Sequence, residues 1–213
     1  FHYPTSLTIS QDMSFALVAD RYNHRIRKVM ISATGDVTTL AGSSSGYIDA
    51  TGTNAKFNYP YEISISQDMS FALVADTSNF RIRKIMISTG VVTTLAGSTE
   101  GYVDGTGASS KFYYPKGVDL SQDQTFALCV DNLRIRKIDI SSGVVSTLAG
   151  STTSGYVDAT GVNAKFEAAY GVGISDDQTE DLVADYSGHG IREVVNDEYC
   201  TQGCAHSNNT VHT

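Results

Sequence analysis

Nine of the chain's 15 basic residues fall in three copies of Arg-Ile-Arg-Lys, at 25–28, 81–84 and 134–137. Arg192 makes a tenth in a fourth, degraded copy. Clustered cations capture anions, so one reading of these sets is a basic ring that grips an acidic glycan or a phosphate. A structural reading uses the same residues differently. The first arginine of each set follows an aspartate by a few positions: Asp20 and Arg25, Asp76 and Arg81, Asp131 and Arg134. Facing each other across a hairpin mouth, each such pair contributes about 0.2–1 kcal/mol, while the aliphatic stems cover strand edges. These three ion pairs are the expectation carried forward.

Other chemistries have weaker claims. Asp49, Asp104 and Asp158 sit in Gly-Tyr-[Ile/Val]-Asp-[Ala/Gly]-Thr-Gly loops. A calcium ion takes six to eight oxygens and usually several carboxylates; each loop offers one, which suits an Asx turn beside glycine. No position common to all copies holds a histidine (His2, His24, His189, His206, His212). Gly42-Ser43-Ser44-Ser45-Gly46 matches Gly-x-Ser-x-Gly only inside a serine-rich loop, with no helix after it to make a nucleophile elbow, and His-Glu-x-x-His does not occur. The expectation is a protein without catalytic groups, metal or cofactor. Cys129 replaces a valine or alanine in an apolar run, where a small inert residue belongs. Cys200 and Cys204 flank Gly203, which permits the turn a disulfide between them requires, with bonds to other cysteines or a zinc site including His206 and His212 as alternatives. Asn208 heads the single Asn-x-Thr glycosylation sequence. Together with the paired tail cysteines it points to an extracellular or cell-surface setting.

Composition limits the partners. The 213 residues carry a net charge of −8, which argues against a nucleic-acid backbone as the main partner. No apolar run reaches the roughly 20 residues of a membrane-spanning helix. The first residue already opens a repeat, and the chain is expected to be a processed product or a piece of something longer.

What positions all these residues is a repeat. Phe-x-Tyr-Pro recurs at Phe1, Phe57 and Phe112, and Phe166 opens an eroded version, at steps of 56, 55 and 54 residues. A period of that size marks a repeat architecture. Within the second copy, Glu62–Ser66 alternates polar and apolar, as a strand with one buried face does. Phe71–Ala75 is apolar on both faces and must be covered on both sides. Arg81–Ser88 and Val91–Ala96 read as third and fourth strands, the latter rich in β-branched residues. Four short antiparallel strands followed by a crossover, repeated, predict an all-β propeller. The expected blades span 1–56, 57–111, 112–165 and 166–197, the fourth incomplete, in an open or partial ring; 198–213 is a non-repeat tail. A length difference supports the hairpin. Four residues separate Asp76 from Arg81, but only two separate Asp131 from Arg134. Losing two residues shortens both arms equally and preserves each side chain's face.

The phrases Val-Ala-Asp-Arg-Tyr-Asn-His-Arg-Ile-Arg-Lys (18–28) and Val-Ala-Asp-Thr-Ser-Asn-Phe-Arg-Ile-Arg-Lys (74–84) resemble the NHL repeat. So does Thr-Leu-Ala-Gly-Ser … Gly-Tyr-Val-Asp-Gly-Thr-Gly (94–107), and the likeness covers roughly residues 1–197. The resemblance implies a propeller, most often six-bladed, used chiefly for recognition or scaffolding. Some similar propellers are lyases or lactonase-like hydrolases, with acidic or amide groups at the axial end of the first strands. The corresponding residues here are Thr8, Ser64, Asp119 and Gly173.

Residues present in every copy build the repeat, so a specific site belongs where the copies disagree. Arg21, Tyr22 and His24 stand where the second copy has Thr77, Ser78 and Phe80; Tyr61, Glu62 and Lys116 vary at the start of the first strand. Arg21, Tyr22, His24 and Lys116 are the candidate binding residues, although drift accounts for such variation equally well. The expected function is an extracellular structural or adhesive module within a larger protein or filament, with protein partners, its own copies or neighbouring domains, and glycans. The alternative is a sensor propeller for a peptide or glycan, followed by a propeller hydrolase or lyase.

Overall fold

A computed structural model describes residues 1–175, 180–195 and 211–212. Among the described residues seventeen strands form four antiparallel sheets, whose four main strands follow one another in sequence order. The first blade holds β1 (Pro4–Ile9), β2 (Phe15–Asp20), β3 (Arg25–Met30) and β4 (Val37–Gly42). The second holds β5 (Pro60–Ile65), β6 (Phe71–Asp76), β7 (Arg81–Met86) and β8 (Val92–Gly97). A short linker strand, β9 (Gly105–Thr106), adds to the edge of the third blade, made of β10 (Pro115–Leu120), β11 (Phe126–Asp131), β12 (Arg134–Asp139) and β13 (Val144–Gly150). The fourth contains β14 (Ala169–Ile174), β15 (Glu180–Asp185) and β16 (Gly190–Val195). It lacks a Thr-Thr-Leu-Ala-Gly strand of its own, and β17 (Val211–His212) pairs with β16 in that place. The chain is an all-β propeller of four blades.

The sequence pattern accounts for these elements. All six residues of β6 are buried, as its two apolar faces require. Asp131 pairs with Arg134 across a two-residue turn, and Asp76 with Arg81 across four, so the shorter hairpin keeps its register. Gly97 ends β8 at a φ of +97°, and a Cβ there would strike the Phe80 carbonyl. Gly97→Ala is therefore expected to destabilise the protein by about 1–3 kcal/mol, read by denaturant titration.

Three apolar layers lie between successive blades, and the inner strands pack β1 on β5, β5 on β10 and β10 on β14. Among the described residues no comparable contact returns from β14 to β1. Core positions at the two ends are consequently open. Phe1 is 60% exposed, whereas Phe57, Phe112 and Phe166 at the same repeat position are 0% exposed. Leu182 is 54% exposed and its counterparts Leu17, Leu73 and Leu128 are 0%.

The ion pairs differ from expectation. The register does place Asp20, Asp76 and Asp131 opposite Arg25, Arg81 and Arg134. The aspartates nevertheless pair with the second arginine of each set: Asp76 with Arg83 at 2.7 Å, Asp131 with Arg136 at 3.1 Å, Asp20 with Arg27 at 3.4 Å. A guanidinium on a long stem overshoots the residue directly opposite and meets the diagonal neighbour instead. In the second and third sets the first arginine lies on a tyrosine, Arg81 at 3.8 Å from the Tyr47 ring centre and Arg134 at 4.5 Å from that of Tyr102.

The loop aspartates also have a larger role than an Asx turn. Arg83 bonds both Asp76 and Asp49 and donates to the Ile48 and Lys56 carbonyls. Asp104 and Asp158 serve Arg136 and Arg192 in the same way. Each linker is thus clamped to the blade that follows it. Among the described residues Arg27 bonds Asp20 and the Thr38 carbonyl and lies over the Phe1 ring, and its side chain is 20% exposed against 0% for the other three. Cys129 is buried and reduced. Cys200, Cys204 and Asn208 lie outside the described residues.

Candidate binding face

The hairpin turns after β2, β6 and β15 and the segments leading into the inner strands share one end of the propeller. Two consecutive repeat positions there vary among the blades. The position after the repeat proline holds Thr5, Tyr61, Lys116 and, after Ala169, Tyr170; the next holds Ser6, Glu62, Gly117 and Gly171. Small residues at the second position let the inner strands close. A Cβ on Gly117 would lie 2.9 Å from the Tyr170 carbonyl and 3.1 Å from the Gly171 Cα.

That closeness brings Tyr61 of the second blade to Tyr170 of the fourth, with ring centres 6.3 Å apart and planes at 84°. Tyr186, from the turn after β15, stacks on Tyr170 at 4.8 Å. The Lys116 ammonium stands 3.3 Å above the Tyr170 ring. Arg21 spreads its guanidinium among Tyr61, Tyr59 and Tyr22 at 5.2, 5.6 and 5.5 Å. His24 meets Tyr59 edge-on at 4.8 Å, and its Nδ1 accepts the Tyr59 backbone N–H at 3.2 Å. Burial lowers the His24 pKa, so the neutral ring that can accept this bond is favoured. Tyr59 itself has a φ of +55° immediately before a proline, a strained backbone that this hydrogen bond and ring contact help to hold.

All four residues picked from sequence therefore meet on one face. Arg21, Tyr22 and His24 share a turn, and Lys116 joins them through Tyr170 and Tyr61. The sequence reading missed Tyr59, Tyr170 and Tyr186. Tyr59 belongs to the repeated Phe-x-Tyr-Pro phrase and reads as structural. Tyr170 occupies a position where the copies disagree, which was the available signal.

Below the rings lies a cavity of about 180 Å³ lined by Thr5, Ser6, Tyr61, Glu62, Tyr170 and Gly171. Burial, then the nearby charge of Asp119, raises the Glu62 pKa to about 7. Burial likewise raises Tyr61, with Arg21 opposing. Deeper along the axis, the Asp119 carboxylate accepts from the Ser64 hydroxyl at 3.0 Å, the Ile174 N–H at 3.1 Å and its own Leu120 N–H at 3.0 Å. It ties three blades together, and burial raises its pKa.

No family model matches the chain. Over 92 residues it is 36% identical to NHL repeat-containing protein 2 of Bos taurus, covering 42% of this chain and 12% of that protein. In structure it superposes on a protein of unknown function from Bacteroides thetaiotaomicron with a TM-score of 0.71 at 22% identity, covering 89% of this chain and 46% of the other. An auxiliary nutrient binding protein from the same organism gives a TM-score of 0.70 at 16% identity, covering 88% and 46%. The chain thus spans about an eighth of that curated relative and under half of each solved chain. Repeat phrases, blade architecture and these likenesses agree on a four-bladed β-propeller consistent with an NHL-repeat family.

Proposed function

We propose that this chain is a non-catalytic structural and adhesive module, working outside the cell as part of a larger propeller or filament. One observation carries the reading: repeat positions that form the core between blades lie open on both outer faces. Phe1, Leu7 and Ile9 line the first face and Leu182 and Ile191 the last. Among the described residues Arg27 meets no second carboxylate like those that hold Arg83 and Arg136, and a blade with its linker would supply one at that face. Large open apolar faces mark interaction surfaces. The non-catalytic part is supported by Asp119, whose lone pairs are engaged in joining blades. Sedimentation velocity over a hundredfold concentration range should show association beyond the monomer. A compact monomer at every concentration would remove the filament from this account.

A second reading, recognition of a ligand at the aromatic face, is favoured by the convergence of Arg21, Tyr22, His24 and Lys116 around Tyr61 and Tyr170.

A further inference from the structure

We infer that the cavity between Tyr61 and Tyr170 is a subsite for a single sugar ring bearing a carboxylate. This rests on the recognition reading and names its ligand class. The cavity, at about 180 Å³, is smaller than the roughly 300 Å³ at which drug-sized sites begin, and so admits one ring rather than a chain. Its walls are two tyrosine rings nearly perpendicular to each other. Tyr186 and the Lys116 ammonium take the two faces of Tyr170, so a pyranose would set its edge against Tyr170 and its C–H face against Tyr61. The remaining lining is polar, with the hydroxyl of Ser6 and the carboxyl of Glu62, which also takes a backbone hydrogen bond from Val118, facing ring hydroxyls. The Thr5 hydroxyl is committed to the Tyr61 carbonyl at 2.6 Å.

Charge selects the sugar. Among the described residues neither Arg21 nor Lys116 has a carboxylate within ion-pair distance. The Arg21 Nε is enclosed and has no hydrogen-bond acceptor. Most cations of this chain make no ion pair among the described residues; these two differ in standing over the rings of Tyr61 and Tyr170, the two aromatic walls of one cavity. A guanidinium offers a carboxylate paired parallel donors, and an ammonium adds a movable one. A peptide would be held by an open strand edge or an apolar pocket, and this cavity supplies phenols and hydroxyls.

Glu62 makes the site sensitive to pH. The charged and titratable groups around it are Asp119 on β10, Tyr61 with Arg21, and Tyr170 with Lys116. While protonated, Glu62 donates to a sugar hydroxyl; once ionised, it repels the bound carboxylate. Its value of about 7 places that change between pH 6 and pH 8.

The test is titration of the full chain with methyl glucuronide, methyl glucoside and an acidic hexapeptide, by calorimetry or NMR. At pH 6 the glucuronide should bind at least ~10-fold more tightly than the glucoside, the factor expected of one net ion pair. Lys116→Gln and, independently, Arg21→Gln should each remove most of that preference. Glu62→Gln should keep the preference and abolish the weakening between pH 6 and pH 8. Equal affinity for the two glycosides overturns the acidic-sugar inference and leaves recognition standing. Hexapeptide binding without glycoside binding does the same. Absence of saturable binding by all three overturns both.

Discussion

Replacing Arg83 by alanine is expected to cost the protein about 3–5 kcal/mol, whereas the same change at Arg27 costs about 1 kcal/mol. Both arginines occupy the same repeat position, so each controls for the other. Arg83 is wholly buried and satisfies Asp76, Asp49 and two carbonyls. Its removal strands a carboxylate that is itself 0% exposed. Burial already raises Asp76 to about 6 even with Arg83 beside it. Without Arg83 the value rises further, and the carboxyl escapes the penalty at acid pH by keeping its proton. The deficit relative to wild type should therefore grow as pH rises from 5 to 8. Asp20 behaves differently: desolvation is again the largest single influence, but the His2 N–H, the Asn23 amide, the N-terminal charge and Arg27 together bring its pKa below the usual value. Urea denaturation of both variants at the two pH values measures the difference. Equal losses at the two positions would contradict the linker clamp.

Asp181→Ala is expected to stabilise the chain, by about 2–4 kcal/mol at pH 8 and by far less at pH 4. Its counterparts at this repeat position are Ala16, Ala72 and Ala127, all buried. Asp181 is 0% exposed, and both its carboxylate oxygens lack hydrogen-bond partners among the described residues. Desolvation first, and then Asp119, raises its pKa to about 7, with Lys137 opposing. Below about pH 4 the carboxyl is protonated in both folded and unfolded chains and contributes no difference. Between pH 4 and 7 the unfolded chain ionises while the folded one does not, so stability is lost progressively across that window. Above pH 7 the penalty is complete. Thermal or urea melts of wild type and variant across pH 4–8 read it directly. A constant gap between them would show that Asp181 does not titrate with folding.

The blades were legible because a buried strand needs neighbours on both faces, and Phe71–Ala75 announces that in five residues. The Asp–Arg register was legible too, since a two-residue deletion between Asp131 and Arg134 is tolerated only by a hairpin. Which arginine takes the aspartate was not. That choice depends on the diagonal reach of a long side chain over a twisted sheet, and on Tyr47 offering the first arginine a ring. At the candidate site, disagreement among copies singled out Arg21, Tyr22, His24 and Lys116, which the fold gathers at one end of the propeller. It could not show that Tyr61 and Tyr170 meet, because that contact joins alternate blades across the axis and leaves no mark on local sequence. Asp181 departs from an alanine position in plain view, yet its burial beside Asp119 is a property of the packed third and fourth blades.

The open outer faces are tested most directly by hydroxyl-radical footprinting of the four repeat phenylalanines. In the isolated chain Phe1 should react strongly while Phe57, Phe112 and Phe166 stay protected. In the larger assembly Phe1 should fall to their level. Protection of Phe1 in the isolated chain, or its undiminished reactivity in the assembly, would contradict the claim that this face awaits a further blade.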